Sequence, residues 1–194
     1  MKATGNSPVA LLAEVSAPAP YLYRYAFKRK QMSSKMITFH VPENKELLAA
    51  LGVVTLRHEH LNHILKMTIK SIAGITPAEA SYALKYEGSH SLRQRINKLA
   101  KKELGESKTL LKLQAILGRA ERVTEKRNKF IHGLWAKELD GDPGIMGVPG
   151  ELHPLPTVEE LKNLANEIAE ITQELNEARL EGFLKEALDG RSKI

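Results

Sequence analysis

The chain has 194 residues, 29 Lys and Arg against 23 Asp and Glu, a net charge of +6 and no cysteine. That length can bury a real core, while the missing cysteines exclude a disulfide framework and a cysteine-ligated zinc site, with a reducing, cytoplasmic setting as the easier reading. No apolar run approaches the ~20 residues of a membrane span, Val9–Val15 with Glu14 in it is too short for a signal peptide, and the basic balance suits a polyanionic partner.

Residues 1–42 read as a basic, flexible N-terminal arm. Pro8, Pro18 and Pro20 interrupt it, and Arg24, Lys28, Arg29, Lys30 and Lys35 charge its second half. Tyr21, Tyr23, Tyr25 and Phe27 alternate with other residues, which leaves a short strand or a partner-docked segment open.

Residues 43–194 read as a helical bundle. Leu47, Leu51, Val54, His58, Leu61, Leu65, Thr68 and Ile72 recur at spacings of three and four, one stripe of a long amphipathic helix that stops at Gly74. Thr76-Pro77-Ala78-Glu79 is a capping box with Pro in the first helical position, opening a short helix that ends near Gly88. Ser89 or Ser91 is expected to cap the next helix, which runs through Leu92, Ile96 and Leu99 to Gly105.

Ser107 precedes a long helix with Leu110, Leu113, Leu117, Ala120, Thr124, Arg127, Ile131 and Leu134 in its seam, expected to end around Leu139. Residues 140–156 are Gly- and Pro-rich and read as a loop, too long for a simple connector. Thr157 and Glu160 form a second capping box. The last helix then buries Val158, Leu161, Leu164, Ile168, Ile171 and Leu175. The predicted class is all-α, an antiparallel bundle of about five helices.

Arg127 breaks its own pattern, because it occupies a seam position where Leu would pack better. A buried guanidinium keeps its charge and needs an anionic partner, a polar pocket or access to solvent. Asn128 and His132, four apart, share a helix face, with Trp135 expected three residues further along it. Arg127 and His132 are about 140° apart around an ideal helix, so the Arg stem must swing, the helix must loosen at Gly133, or a second copy must complete the site.

The residue types suit one chemistry. Attack of a 2′-hydroxyl on its phosphate needs a proton carrier that works near neutrality, the natural task of a histidine such as His132. It also needs positive charge on the pentavalent phosphate, which Arg127 can supply through its planar fork. Asn128 can orient the imidazole or hold a phosphate oxygen. No metal or other cofactor is needed by this scheme.

Arg127-Asn128-Lys129-Phe130-Ile131-His132, followed by Gly133, resembles the Arg-polar-x-x-x-His signature of the HEPN superfamily. The order of long, short and motif-bearing helices over residues 43 to about 190 is similar as well. The resemblance implies a homodimer whose two motifs share one composite cleft, and a metal-independent endoribonuclease acting in toxin–antitoxin, phage-defence or RNA-processing systems. A cognate antitoxin or inhibitor protein would then be a partner alongside RNA, with no membrane involved. A catalytically silent module of the same family, binding a nucleotide or a protein, is the alternative, and a plain helical interaction protein is the second.

His58, Glu59, His60 and His63 do not converge on one ion, because His58 falls in the seam while His60 and His63 turn outward. His58 is expected to face the interior near Arg127, with Glu59 placed to pair with that guanidinium. Lys112, Arg119, Arg122, Lys126 and Lys129 line one outward face of the motif helix. Such a stripe can track an RNA backbone, or be a solvated face partly neutralised by Glu167, Glu170 and Glu174. Arg93, Arg95, Lys98, Lys101 and Lys102 add charge on another helix with the same two readings.

Overall fold

A computed structural model of the chain describes residues 37–147 and 151–191. Most of the basic arm therefore lies outside the described residues. Helices dominate, in the order α1 (Lys45–Ala73), α2 (Pro77–Ala83), α3 (Ser89–Leu104), α4 (Lys108–His132), α5 (Val158–Leu180) and α6 (Phe183–Arg191). The protein is an all-α bundle, to which a small sheet of four short strands is attached: β1 (Ile37–Phe39), β2 (Leu134–Glu138), β3 (Pro143–Met146) and β4 (Leu152–Pro154). None of the described helices is long and apolar enough to cross a membrane.

Local chemistry accounts for the helix ends. Asn44 accepts from the backbone N–H groups of Glu46 and Leu47 to start α1, and Gly74 ends it in the left-handed conformation at φ 67°. Both capping boxes form, at Thr76 with Glu79 and at Thr157 with Glu160. Neither Ser89 nor Ser91 caps α3. Gly88 holds that position without a side-chain bond, and the Ser89 hydroxyl is turned to His58 and Asn62 instead.

The seams read from the sequence become the core. The most extensive helix pairing is that of α1 with α5, and Val54, Leu61 and Leu65 of the one and Leu161, Ile168 and Ile171 of the other belong to one buried core, to which α3 and α4 also contribute. Full burial of each Leu or Ile contributes about 1.5–3 kcal/mol. Among the polar residues drawn inside are His58, Thr124, Arg93 and Arg127, all on the α1–α3–α4 side.

The expected course of the chain after His132 needs correction. The motif helix ends at His132 and not near Leu139, and Leu134–Glu138 is a strand. Two further strands occupy the stretch read as loop, and β1 occupies the end of the arm. The sheet is antiparallel throughout in the order β1-β2-β3-β4, with Phe39 opposite Ala136, Trp135 opposite Ile145 and Ile145 opposite His153. A Cβ on Gly133 would collide with Ile145 Cγ2 and with the Lys129 carbonyl oxygen. Only glycine lets the chain leave α4 this sharply and enter the sheet.

Candidate functional site

A polar cleft of about 430 Å³ opens between α1, the start of α3 and the last turns of α4. Its geometry follows from one side chain. Arg127 Nη1 lies 3.1 Å from Asn128 Oδ1 and 2.7 Å from His132 Nε2. The 140° separation is thus bridged within one copy, by an Arg stem that runs along the helix end and by a His that is the last helical residue. A guanidinium has donors only, so Nε2 of His132 must present its lone pair, and the ring proton sits on Nδ1. Arg127 is buried while Asn128 and His132 are exposed at the rim. The arrangement therefore sets a buried cation against the imidazole nitrogen whose lone pair it occupies.

The floor of the cleft is a hydrogen-bonded network around His58. The Thr124 hydroxyl donates to the Ala120 carbonyl, 2.7 Å, which leaves its lone pairs for His58 Nε2 at 3.2 Å and Arg93 Nη1 at 3.4 Å. The Ser89 hydroxyl donates to Asn62 Oδ1 and sits 3.3 Å from the same His58 nitrogen. These bonds place the His58 proton on Nε2. Burial foremost, then the charges of Arg127 and Arg93, push the His58 pKa down to about 4 against the opposing pull of Glu59. His58 is consequently a neutral strut beneath Arg127.

The remaining expectations divide. Glu59 lines the cleft, but its carboxylate meets Asn62 at 3.3 Å and His58 Nδ1 at 3.9 Å, not Arg127. Trp135 is not on the motif helix. It belongs to β2, donates its indole N–H to the Phe130 carbonyl at 2.8 Å and packs on the core, away from the cleft. His60 and His63 are exposed on α1 while His58 is buried.

The basic stripe of α4 turns partly toward acidic α5. Arg119 pairs with Glu174 at 2.5 Å, Lys126 with Glu167 at 3.5 Å, and Lys112 stands 5.7 Å from the centre of the Phe183 ring. Arg122 and Lys129 are exposed on the same helix. None of these five cations lines the cleft.

The cleft also contains residues that sequence reasoning did not assign to it. Arg93 is a second buried guanidinium, bonded to Thr124 and to Glu121 at 3.3 Å. It carried a signal of the same kind as Arg127, a cation in an apolar seam beside Leu92 and Ile96. Ser89, Asn62, His90 and Glu121 had no such signal, because each sits at a position where a polar residue is unremarked. Compared with protein-family models, with curated proteins and with solved structures, the chain has no match.

Proposed function

We propose that this chain is a HEPN-type endoribonuclease whose reacting group is His132, held against the Arg127 guanidinium. The observation that carries the reading is the 2.7 Å contact between Arg127 Nη1 and His132 Nε2, with Asn128 on the same guanidinium. In this scheme the substrate hydroxyl displaces the guanidinium from Nε2. His132 takes the 2′-hydroxyl proton as the 2′-oxygen bonds to phosphorus and the bond to the 5′-oxygen breaks, giving a 2′,3′-cyclic phosphate and a 5′-hydroxyl. The released Arg127 turns its two-pronged donor set to the phosphoryl oxygens, where negative charge builds up. The scheme calls for no metal, since the guanidinium takes the charge-stabilising role.

The departing 5′-oxygen needs a proton of its own. His132 is exposed at the rim, so the same residue of a second copy can reach a shared groove and act as the acid while the first acts as the base. This supports a homodimer with a composite site. A cytoplasmic toxin or defence effector with a cognate inhibitor protein rests on the family resemblance alone.

The test is cleavage of RNA in EDTA by the wild type, His132→Ala and Arg127→Ala. Cleavage by the wild type that disappears in both variants supports the assignment. Equal behaviour of all three sinks it, and RNA binding without cleavage under any condition makes the chain a binding module.

A further inference from the structure

Three buried side-chain polar atoms without a hydrogen-bond partner, His58 Nδ1, Arg127 Nε and Asn97 Oδ1, belong to residues that line two adjoining spaces; among the described residues, the other such atom is Arg179 Nε, elsewhere. Two of the three belong to the cleft already described. Asn97 Oδ1 belongs to a neighbouring groove of about 330 Å³ between α3 and α4. The two spaces share His90, Arg93 and Glu121 as a common wall. An unsatisfied buried acceptor is rare in a folded protein and marks a place where a partner is missing.

The second groove differs in chemistry from the first. Its walls carry three carboxamides, Gln94 and Asn97 from α3 and Gln114 from α4. Its floor is Leu117 and Gly118, and above Gly118 there is open space: a Cβ there would meet only Arg122 Nη1, at 3.9 Å. A glycine in the interior of α4 costs about 1 kcal/mol relative to alanine, and nothing of the chain's own packing uses the gap it leaves. An apolar stretch beside three carboxamides suits an unstacked nucleobase, which presents a planar face and an edge of donors and acceptors. The Gln94 amide nitrogen is already committed to His90 Nε2 at 2.8 Å, and Glu121 Oε1 to Arg93.

We infer that the α3–α4 groove is a base-recognition subsite for the RNA nucleotide next to the scissile phosphate, and that it prefers a base with an exocyclic amino group. The polarity of the preference follows from Asn97 Oδ1. As a buried acceptor it welcomes the N4 amine of cytosine or the N6 amine of adenine, whereas the O4 carbonyl of uracil would set two acceptors against each other. The subsite adds sequence choice to a cleavage site that by itself grips only phosphate and ribose. It rests on the nuclease reading for its role, but not for the base binding itself.

Cytidine and uridine monophosphates, which differ in the C4 amine or carbonyl and in whether N3 accepts or donates, are titrated separately into the full chain while the side-chain amide NMR signals of Gln94, Asn97 and Gln114 are followed. Cytidine monophosphate is expected to move these signals, with the uridine compound about tenfold weaker, the size of one lost base-edge contact. Gly118→Leu fills the floor and favours the helix, so it should fold, lose the binding and flatten the base preference of the cleavage map without abolishing cleavage. The inference is overturned if neither nucleotide moves the three amides, if both do so equally, or if Gly118→Leu leaves binding and cleavage map unchanged. Binding that discriminates the two bases without any RNA cleavage keeps the subsite and removes the nuclease reading.

Discussion

His58 and Arg127 would both be cations in mildly acidic water, yet they share one buried network in which only the guanidinium keeps its charge. The sign of the resulting pH dependence is fixed by where the proton is more welcome. An unfolded His58 takes up a proton below pH 6.5, whereas the folded one resists until about pH 4. The contribution is therefore complete above pH 6.5 and is lost as pH falls toward 4, a separation worth about 3 kcal/mol. Chemical denaturation across that window should show wild-type stability falling more steeply than that of His58→Gln, which has no titrating ring. Parallel curves would mean that His58 is protonated in the folded protein. Arg127→Lys asks a different question of the same cleft. An ammonium keeps the charge but cannot hold Asn128 and His132 on one planar nitrogen, so RNA cleavage should fall about a hundredfold while the circular dichroism spectrum stays that of the wild type.

Among the elements, the passage from α4 into β2 decides where the site lies. Gly133 has ordinary angles, φ −66° and ψ 147°, so its requirement is steric: there is no room for a Cβ between Ile145 and the Lys129 carbonyl. Gly133→Ala should lower the unfolding free energy by about 2 kcal/mol, the cost of overpacking a tight contact, as read from the denaturant midpoint; a loss under 0.5 kcal/mol would show a slack junction. This is also the place where the sequence was least legible. Leu134 continues the seam of Thr124, Arg127 and Ile131 at helical spacing, and no left-handed residue announces a stop. The strands that follow are three to five residues long, too short to set up a period of two, and Pro143 and Pro154 occupy strand ends, where a missing N–H is tolerated. By contrast, the starts of α1, α2 and α5 were readable to within a residue or two, because each opens on a capping side chain, whereas α2, expected to run to near Gly88, already ends at Ala83. The core of the candidate site was readable for a related reason. Arg127 contradicted its own stripe, and so did Arg93, which went unassigned because it was grouped with Arg95, Lys98, Lys101 and Lys102 as one charged face.

For the whole molecule, with its +6 charge, the proposed RNA substrate would have two places to lie, along the α4 face or in the cleft. The face is the weaker candidate, since Arg119 and Lys126 already lie against Glu174 and Glu167 and release no counterions when a phosphate chain passes. The cleft instead holds two buried guanidinium groups, Arg93 and Arg127, behind an exposed imidazole. Salt dependence separates the two routes, because each lysine or arginine that meets a phosphate contributes about one unit to the slope of log affinity against log salt. Arg119→Gln with Lys126→Gln should leave that slope within half a unit of the wild type, and should cost stability no more than about 1 kcal/mol, as exposed ion pairs do. A slope reduced by about two would mean that the acidic residues of α5 yield these cations to RNA, and the nucleic acid would then run across α4 before reaching His132.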